Sequence, residues 1–237
     1  MMTRNRSRFL MAGSAGLIML GVMASGCGSP EPEEPVPEPR VVSAAGVCGG
    51  TLFPASAGPS LERVLEASKF VIRDEDEDVS TAESAKMMED AYRSGKDVRD
   101  KPTADCKIHG EKRLVGDYER YVLAMVRFKA FSKKAWTSGV GDETYDKGVL
   151  VTGAKRQRSI EFDCVSARVG STVDIPLRIT VTFMNQFAEG AVDEEADLVK
   201  DYLLLAHAAG LSMSKELGCA DNGGLPDRPD GLPAMLT

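Results

Sequence analysis

Five cysteines and two histidines carry most of the reactive side-chain chemistry in this 237-residue chain. Cys48, Cys106, Cys164 and Cys219 recur at intervals of 58, 58 and 55 residues. Neither a C-x-x-C pair nor Cys/His ligand spacing occurs, so an even set this widely separated suits disulfides better than zinc. Reduced thiols are the other reading, and oxidation of all four presupposes an oxidising compartment. Four cysteines admit three pairings. The sequential one, Cys48–Cys106 with Cys164–Cys219, is favoured because it ties each terminal helical arm to neighbouring strands and leaves no thiol over. Cross-links closing loops of that size contribute roughly 3–5 kcal/mol each in the chain-entropy account. The near-equal intervals also fit two related halves in mirrored order, although the residues around each cysteine are not alike, and coincidence is the alternative.

A catalytic set is not identifiable. His109 precedes Gly110 at an expected turn, and His207 falls opposite Leu198 and near Lys200 on an expected helix. A catalytic histidine needs a partner within hydrogen-bond reach, and neither has one visible in the sequence, so both are read as structural. Nucleophile-elbow, HExxH, phosphate-loop and dinucleotide glycine signatures do not occur after residue 26. Asp74, Asp76 and Asp78 occupy the first, third and fifth positions of a calcium loop. Val79 stands where that loop requires glycine and Ala85 where it requires glutamate, so the run is read as a solvated acidic loop. No metal or cofactor is expected.

The elements that would position these residues follow from periodicity. Pro59-Ser60-Leu61-Glu62 opens a helix expected to reach Ile72, with Leu61, Val64, Leu65 and Ser68 at helical spacing. Ser80-Thr81-Ala82-Glu83 has capping-box spacing for a second helix ending near Gly95. Cys106 to Val115 and Arg120 to Phe131 read as strands, with Val122, Ala124, Val126, Phe128 and Ala130 on one face; Leu123 and Met125 keep a helical reading open for the second. Ser159–Val165 and Val173–Phe183 alternate apolar and polar, as strands do with one face in a core. Pro176 cannot donate to a ladder and points to an edge strand or a bulge. Asp193 to Leu217 reads as a long helix with Leu198, Tyr202, Leu205, Ala209 and Met213 in one stripe. Lys215 suits its last turn, and Gly218 follows as the stop. The expected fold is α+β: an antiparallel sheet with helices packed on one face, held by two disulfides.

The N-terminus supplies an address. Arg4, Arg6 and Arg8 precede an apolar stretch from Phe9 to Ala24, and Met23-Ala24-Ser25-Gly26-Cys27 closes it with small residues and a cysteine. The stretch is shorter than the ~20 residues of a spanning helix. It resembles a bacterial lipoprotein signal, in which Cys27 is lipidated and becomes the first mature residue; Ala24 departs from the leucine usual there. Simple secretion is the competing reading. Residues 27–46 then form a Pro/Glu-rich linker, whose extended polyproline geometry spans roughly 40 Å at ~3.1 Å per residue. Residues 47–220 form one domain, and 221–237 a loose C-terminal tail.

Composition limits the partners. Hydrophobic residues at 43% and charged residues at 27% are ordinary for a chain with a buried core. Without residues 1–26 the chain keeps 26 basic against 36 acidic residues, a net charge of −10. Such a domain has no general attraction for nucleic acid. Lys133-Lys134 and Lys155-Arg156-Gln157-Arg158 are read as solvated turns, and Trp136 as a core or interface residue.

Three short runs carry a wider likeness: Cys48-Gly49-Gly50-Thr51-Leu52, Phe162-Asp163-Cys164-Val165-Ser166, and Lys215–Cys219 with Asn222-Gly223-Gly224-Leu225-Pro226. In these the chain resembles secreted, uncharacterised lipoproteins of streptomycete-type, high-GC Gram-positive bacteria. That family has no established activity, so the resemblance implies only a protein facing outward on the plasma membrane. The expected role is a binding or envelope-assembly accessory, with the membrane, through Cys27, and an envelope protein or small ligand as partners. An exported hydrolase using acidic residues is the competing class.

Overall fold

Residues 123–130 of the strand Tyr118–Ser132 (β4) define the two faces of the sheet. Ala124, Val126, Phe128 and Ala130 are each at most 1% exposed, Met125 is 5% exposed, and Leu123, Arg127 and Lys129 are only partly buried. A helix could not bury every second residue of that run, and the helical reading falls. The computed structural model describes residues 40–72, 80–95, 104–115, 118–132, 148–154, 156–186 and 196–234. All belong to one compact unit, Glu38–Thr237.

The other strands are Arg40–Val42 (β1), Phe70–Ile72 (β2), Ala104–Val115 (β3), Leu150–Ala154 (β5), Gln157–Cys164 (β6) and Leu177–Asn185 (β7). They form a seven-stranded antiparallel sheet in the order β1-β2-β3-β4-β7-β6-β5. The two halves of the chain meet where β4 pairs with β7, from Ala124 opposite Asn185 to Ser132 opposite Leu177. Ile160 and Phe162 of β6 and Ile179, Val181 and Phe183 of β7 complete the core face and have no exposed surface. The opposite face carries polar cross-strand pairs. Ser159 and Thr182 share a hydrogen bond of 2.8 Å, and Arg178 lies 3.4 Å from Glu161 and 3.3 Å from Asp163.

Among the described residues three helices lie on the apolar face: Gly58–Leu65 (α1), Thr81–Ser94 (α2) and Ala196–Leu217 (α3). The fold is therefore α+β, with helices on one side of an antiparallel sheet. At α2 the capping box forms as the spacing requires. The Glu83 N–H donates to Ser80 Oγ at 3.2 Å and the Ser80 N–H to Glu83 Oε2 at 2.9 Å, and Gly95 closes the helix in a left-handed conformation.

Some expectations are corrected. The first helix stops at Leu65 rather than Ile72, because Glu66 turns left-handed (φ +46°) and sends Phe70 into the core as part of β2. Pro176 marks neither an edge nor a bulge. It precedes β7, which lies inside the sheet between β4 and β6. Arg40–Val42, expected in the linker, pairs with β2. Of the expected loose tail, Leu225 is buried at 4% exposure, and the other residues of 221–234 are exposed or half-buried. The acidic run 73–79, Lys133-Lys134, Lys155, Trp136, Asp193–Glu195 and residues 1–39, with Cys27, lie outside the described residues.

Both disulfides join the sequential pairs, Cys48 to Cys106 and Cys164 to Cys219, with Cα separations of 5.7 and 4.9 Å. The first fastens the turns before α1 to β3, and the second fastens the end of α3 to β6.

After Cys219 the chain makes a left-handed turn through Asp221, Asn222, Gly223 and Gly224, with φ between +48° and +79°. A Cβ on Gly223 would stand 2.5 Å from Phe162 Cδ2 and 3.0 Å from the Asp163 carbonyl oxygen, so this turn lies flat on β6. Gly95 has a similar φ (+59°) but open space around it. Gly223→Ala is expected to cost about 2–4 kcal/mol, combining left-handed strain with a clash against a residue that cannot yield. Gly95→Ala should cost only about 1 kcal/mol, from the backbone alone. Urea denaturation of the two variants measures the difference; equal losses would show that the turn does not pack on Phe162.

Candidate functional site

Two faces of α3 are buried against different things. Tyr202, Leu205, Ala209 and Met213 lie against the sheet, each no more than 3% exposed. About a quarter-turn or more away, Leu204, His207, Ala208, Leu211, Ser212 and Lys215 recur at spacings of three and four, forming a second stripe. That stripe is one wall of a cleft of about 600 Å³. The facing walls are the short 3₁₀ turns before α1, including Thr51, Phe53 and Pro54, and the segment Asp227–Pro229. The volume falls within the range of small-molecule sites.

Each wall is anchored from behind. Ser212 Oγ donates to the Leu52 carbonyl at 2.8 Å, Thr51 and Thr81 share a hydroxyl hydrogen bond of 2.9 Å, and Cys48–Cys106 holds the same turns to β3. On the other side His207, 3% exposed, hydrogen-bonds the Pro226 carbonyl through Nε2 at 2.8 Å. A carbonyl only accepts, so Nε2 carries the proton and Nδ1 holds the lone pair of the neutral ring. Burial pushes this imidazole below its ordinary range, against the opposing pull of the Pro226 hydrogen bond and of Asp227 and Asp230. At neutral pH the ring is uncharged.

Between α1 and α3 lies a buried carboxylate. Asp201, 5% exposed, accepts from Ser60 Oγ at 2.7 Å and from Arg63 Nε and Nη2 at 2.8 and 2.5 Å. Burial raises its affinity for a proton, but the Arg63 and Ser60 hydrogen bonds and the Arg63 charge outweigh this and hold it below the usual carboxylate range. With donors on both oxygens and no opening toward the cleft walls, it is an anchor between helices rather than an acid or base.

The structure separates the two histidines. His109 is not at a turn: it sits within β3, opposite Leu123, where the register shifts before Lys112. Strand alternation from Cys106 and Ile108 puts it on the face away from the helices, whereas His207 belongs to the helical layer. Arg158 is not solvated either. It is 4% exposed, and its guanidinium donates to the Ala154 and Gln157 carbonyls to close the β5–β6 hairpin.

The cleft was missed from sequence because one wall comes from residues 45–57 and the others from residues 204–215 and 227–229, at the opposite end of the described chain. One local signal was available: Ser212-Met213-Ser214-Lys215 has the S-x-x-K spacing of a serine nucleophile with a lysine. The geometry does not make that pair a dyad. The Ser212 hydroxyl proton is committed to Leu52, and among the described residues no hydrogen bond joins Ser212 or His207 to Lys215. Among the described residues no three His, Cys, Asp or Glu side chains converge as metal ligands, and no helix is long and apolar enough to cross a membrane. No known protein family, curated protein or solved structure matches this chain.

Two pH effects follow. Asp201 contributes stability that is complete above the unfolded-state aspartate value and is lost as pH falls through its lower folded value. Asp201→Asn should therefore cost about 1–3 kcal/mol at pH 7 and progressively less below about pH 4, as read by urea midpoints across pH. A gap that persists unchanged at pH 2 would contradict the ionised anchor. His207 acts in the opposite range. The unfolded chain takes up a proton near pH 6.5 and the folded chain only lower, so stability should fall as pH drops from 7 toward 5. Thermal melts of His207→Gln should show a flatter slope over that interval than the native chain.

Proposed function

We propose that the chain is a lipid-anchored protein of the outer face of the plasma membrane, acting without catalysis as a binding domain whose ligand-contacting surface is the cleft beside α3. The observation that carries this reading is the pairing of all four cysteines after Cys27. Each disulfide clamps a segment on which a cleft wall depends, and such cross-links belong to exported proteins. The lipoprotein-like ending at Cys27, the acidic proline-rich linker after it and the resemblance to streptomycete-type lipoproteins support the same location.

A binding role, rather than hydrolysis, is supported by how the cleft hydroxyls are spent. Thr51 and Ser212 hold the walls together, and the protonated nitrogen of His207 faces a carbonyl rather than a nucleophile. What remains open is apolar surface with charged groups around it, an arrangement that recognises rather than cleaves.

Lipidation is testable directly. A diacylglyceryl group supplies two chains at ~0.8 kcal/mol per buried methylene, enough for stable attachment where one chain is marginal. Fractionation should find the native protein with membranes and Cys27→Ala in the medium or retained uncleaved. Mass spectrometry showing an unmodified mature N-terminus other than Cys27, or four free thiols in the isolated protein, would overturn the assignment.

A further inference from the structure

Charge is distributed unevenly around the cleft. The chain as a whole is acidic, at −7. Yet of the ionisable side chains lining the cleft two are cationic, Lys215 and Arg228, one is anionic, Asp227, and His207 is neutral. Both cations are exposed, and neither has an ion-pair partner among the described residues. They come from different walls: Lys215 from the last turn of α3, and Arg228 from the segment that His207 pins through Pro226.

The deeper lining is apolar. Leu204, Ala208 and Leu211 present one side and Phe53 and Pro54 the other. A ligand seated here meets hydrocarbon along its body and a cation on each of two walls. The volume admits a small molecule and not a protein element. On a chain that is acidic as a whole, two cations against the single lining carboxylate, with Asp230 also close to His207, favour an anion of low charge at this spot.

Resting on the reading of this cleft as the binding surface, we propose that it takes a small amphiphile: an apolar chain or ring system ending in one anionic group. Lys215 and Arg228 hold the anionic end. A guanidinium offers two parallel donors to a carboxylate or phosphate, and the ammonium acts as a point charge beside it. Leu204, Ala208, Leu211 and Phe53 cover the apolar body. Asp227 disfavours a second negative charge on the ligand, which sets the preference for a monoanion.

The test uses decanoate below its micellar concentration, decan-1-ol and acetate as probes, with the purified full-length chain and calorimetric titration. Decanoate is expected to bind at least ten-fold more tightly than decan-1-ol, with acetate giving no saturation at the same concentrations. In Lys215→Gln/Arg228→Gln, decanoate should weaken to within three-fold of decan-1-ol, while decan-1-ol binds as before. Both residues are exposed and make no side-chain contact that the fold depends on, so this variant should melt with the native chain. Equal binding of decanoate and decan-1-ol by the native chain would overturn anion selection and leave the cleft as an apolar binding site. Undiminished decanoate binding by the double variant would place the anion elsewhere and overturn the proposal. No binding of any probe would overturn both the proposal and the cleft as a ligand site, and neither result bears on lipidation at Cys27, which is read separately.

Discussion

Helix α3 has to be buried on two sides at once, and most of the architecture follows from that demand. Its 22 residues carry too much apolar surface for a helix lying on a sheet with its back to water. The sheet covers one side. The rest is covered by α1 and α2 and by material from both ends of the described chain, the turns before α1 and the segment after Cys219. Neither piece has regular structure of its own beyond single 3₁₀ turns, so neither could hold its place by backbone pairing. Disulfides, a glycine that lies flat on Phe162, and single hydrogen bonds at Leu52 and Pro226 do so instead.

Polar contacts between the helices fix how they sit. Apolar packing alone lets one helix slide along another at small cost, whereas the Ser60–Asp201–Arg63 cluster is satisfied in one position only. Asn185 adds a second pin by donating from the end of β7 to the Val64 carbonyl of α1 at 3.2 Å. At the far end Arg168 reaches Glu216 of α3 and Glu89 of α2, while Arg93 of α2 donates to the Arg168 carbonyl. The cleft keeps its shape because the helices that border it cannot shift.

How far the fold is legible in the sequence depends on the length of each element. The alternation in β4, the capping box at Ser80 and the stripe on α3 each repeat often enough to overcome local noise, and each is where it was expected. The strands β1 and β2, at three residues apiece, and β5, at five, are too short to show a period. β2 and β5 exist because the longer β3 and β6 offer free edges, and β1 adds to β2, a tertiary fact. Residues Pro59 to Ile72 mislead for a related reason: Val71 and Ile72 continue the helical spacing, yet a left-handed Glu66 ends the helix and sends the segment to the sheet. The cysteine pairing was readable from spacing and topology together. The cleft was not, since sequence proximity says nothing about turns meeting a helix some 160 residues later. The runs that suggested a family likeness prove to be the surroundings of Cys48, Cys164, Cys219 and the left-handed turn, places where backbone geometry restricts residue choice.

The two disulfides never cross the junction of β4 with β7. Each closes a loop inside its own half, so the halves are joined without a cross-link, by the connecting chain, the β4–β7 ladder, the core beneath it and the side-chain bonds of Asp201, Asn185 and Ser212. No cross-link spans β4–β7, so oxidation and reduction act on each half separately. The residues between each cysteine pair stay looped together whatever happens at the junction, and the nine paired positions of β4 with β7 rest on noncovalent contacts alone.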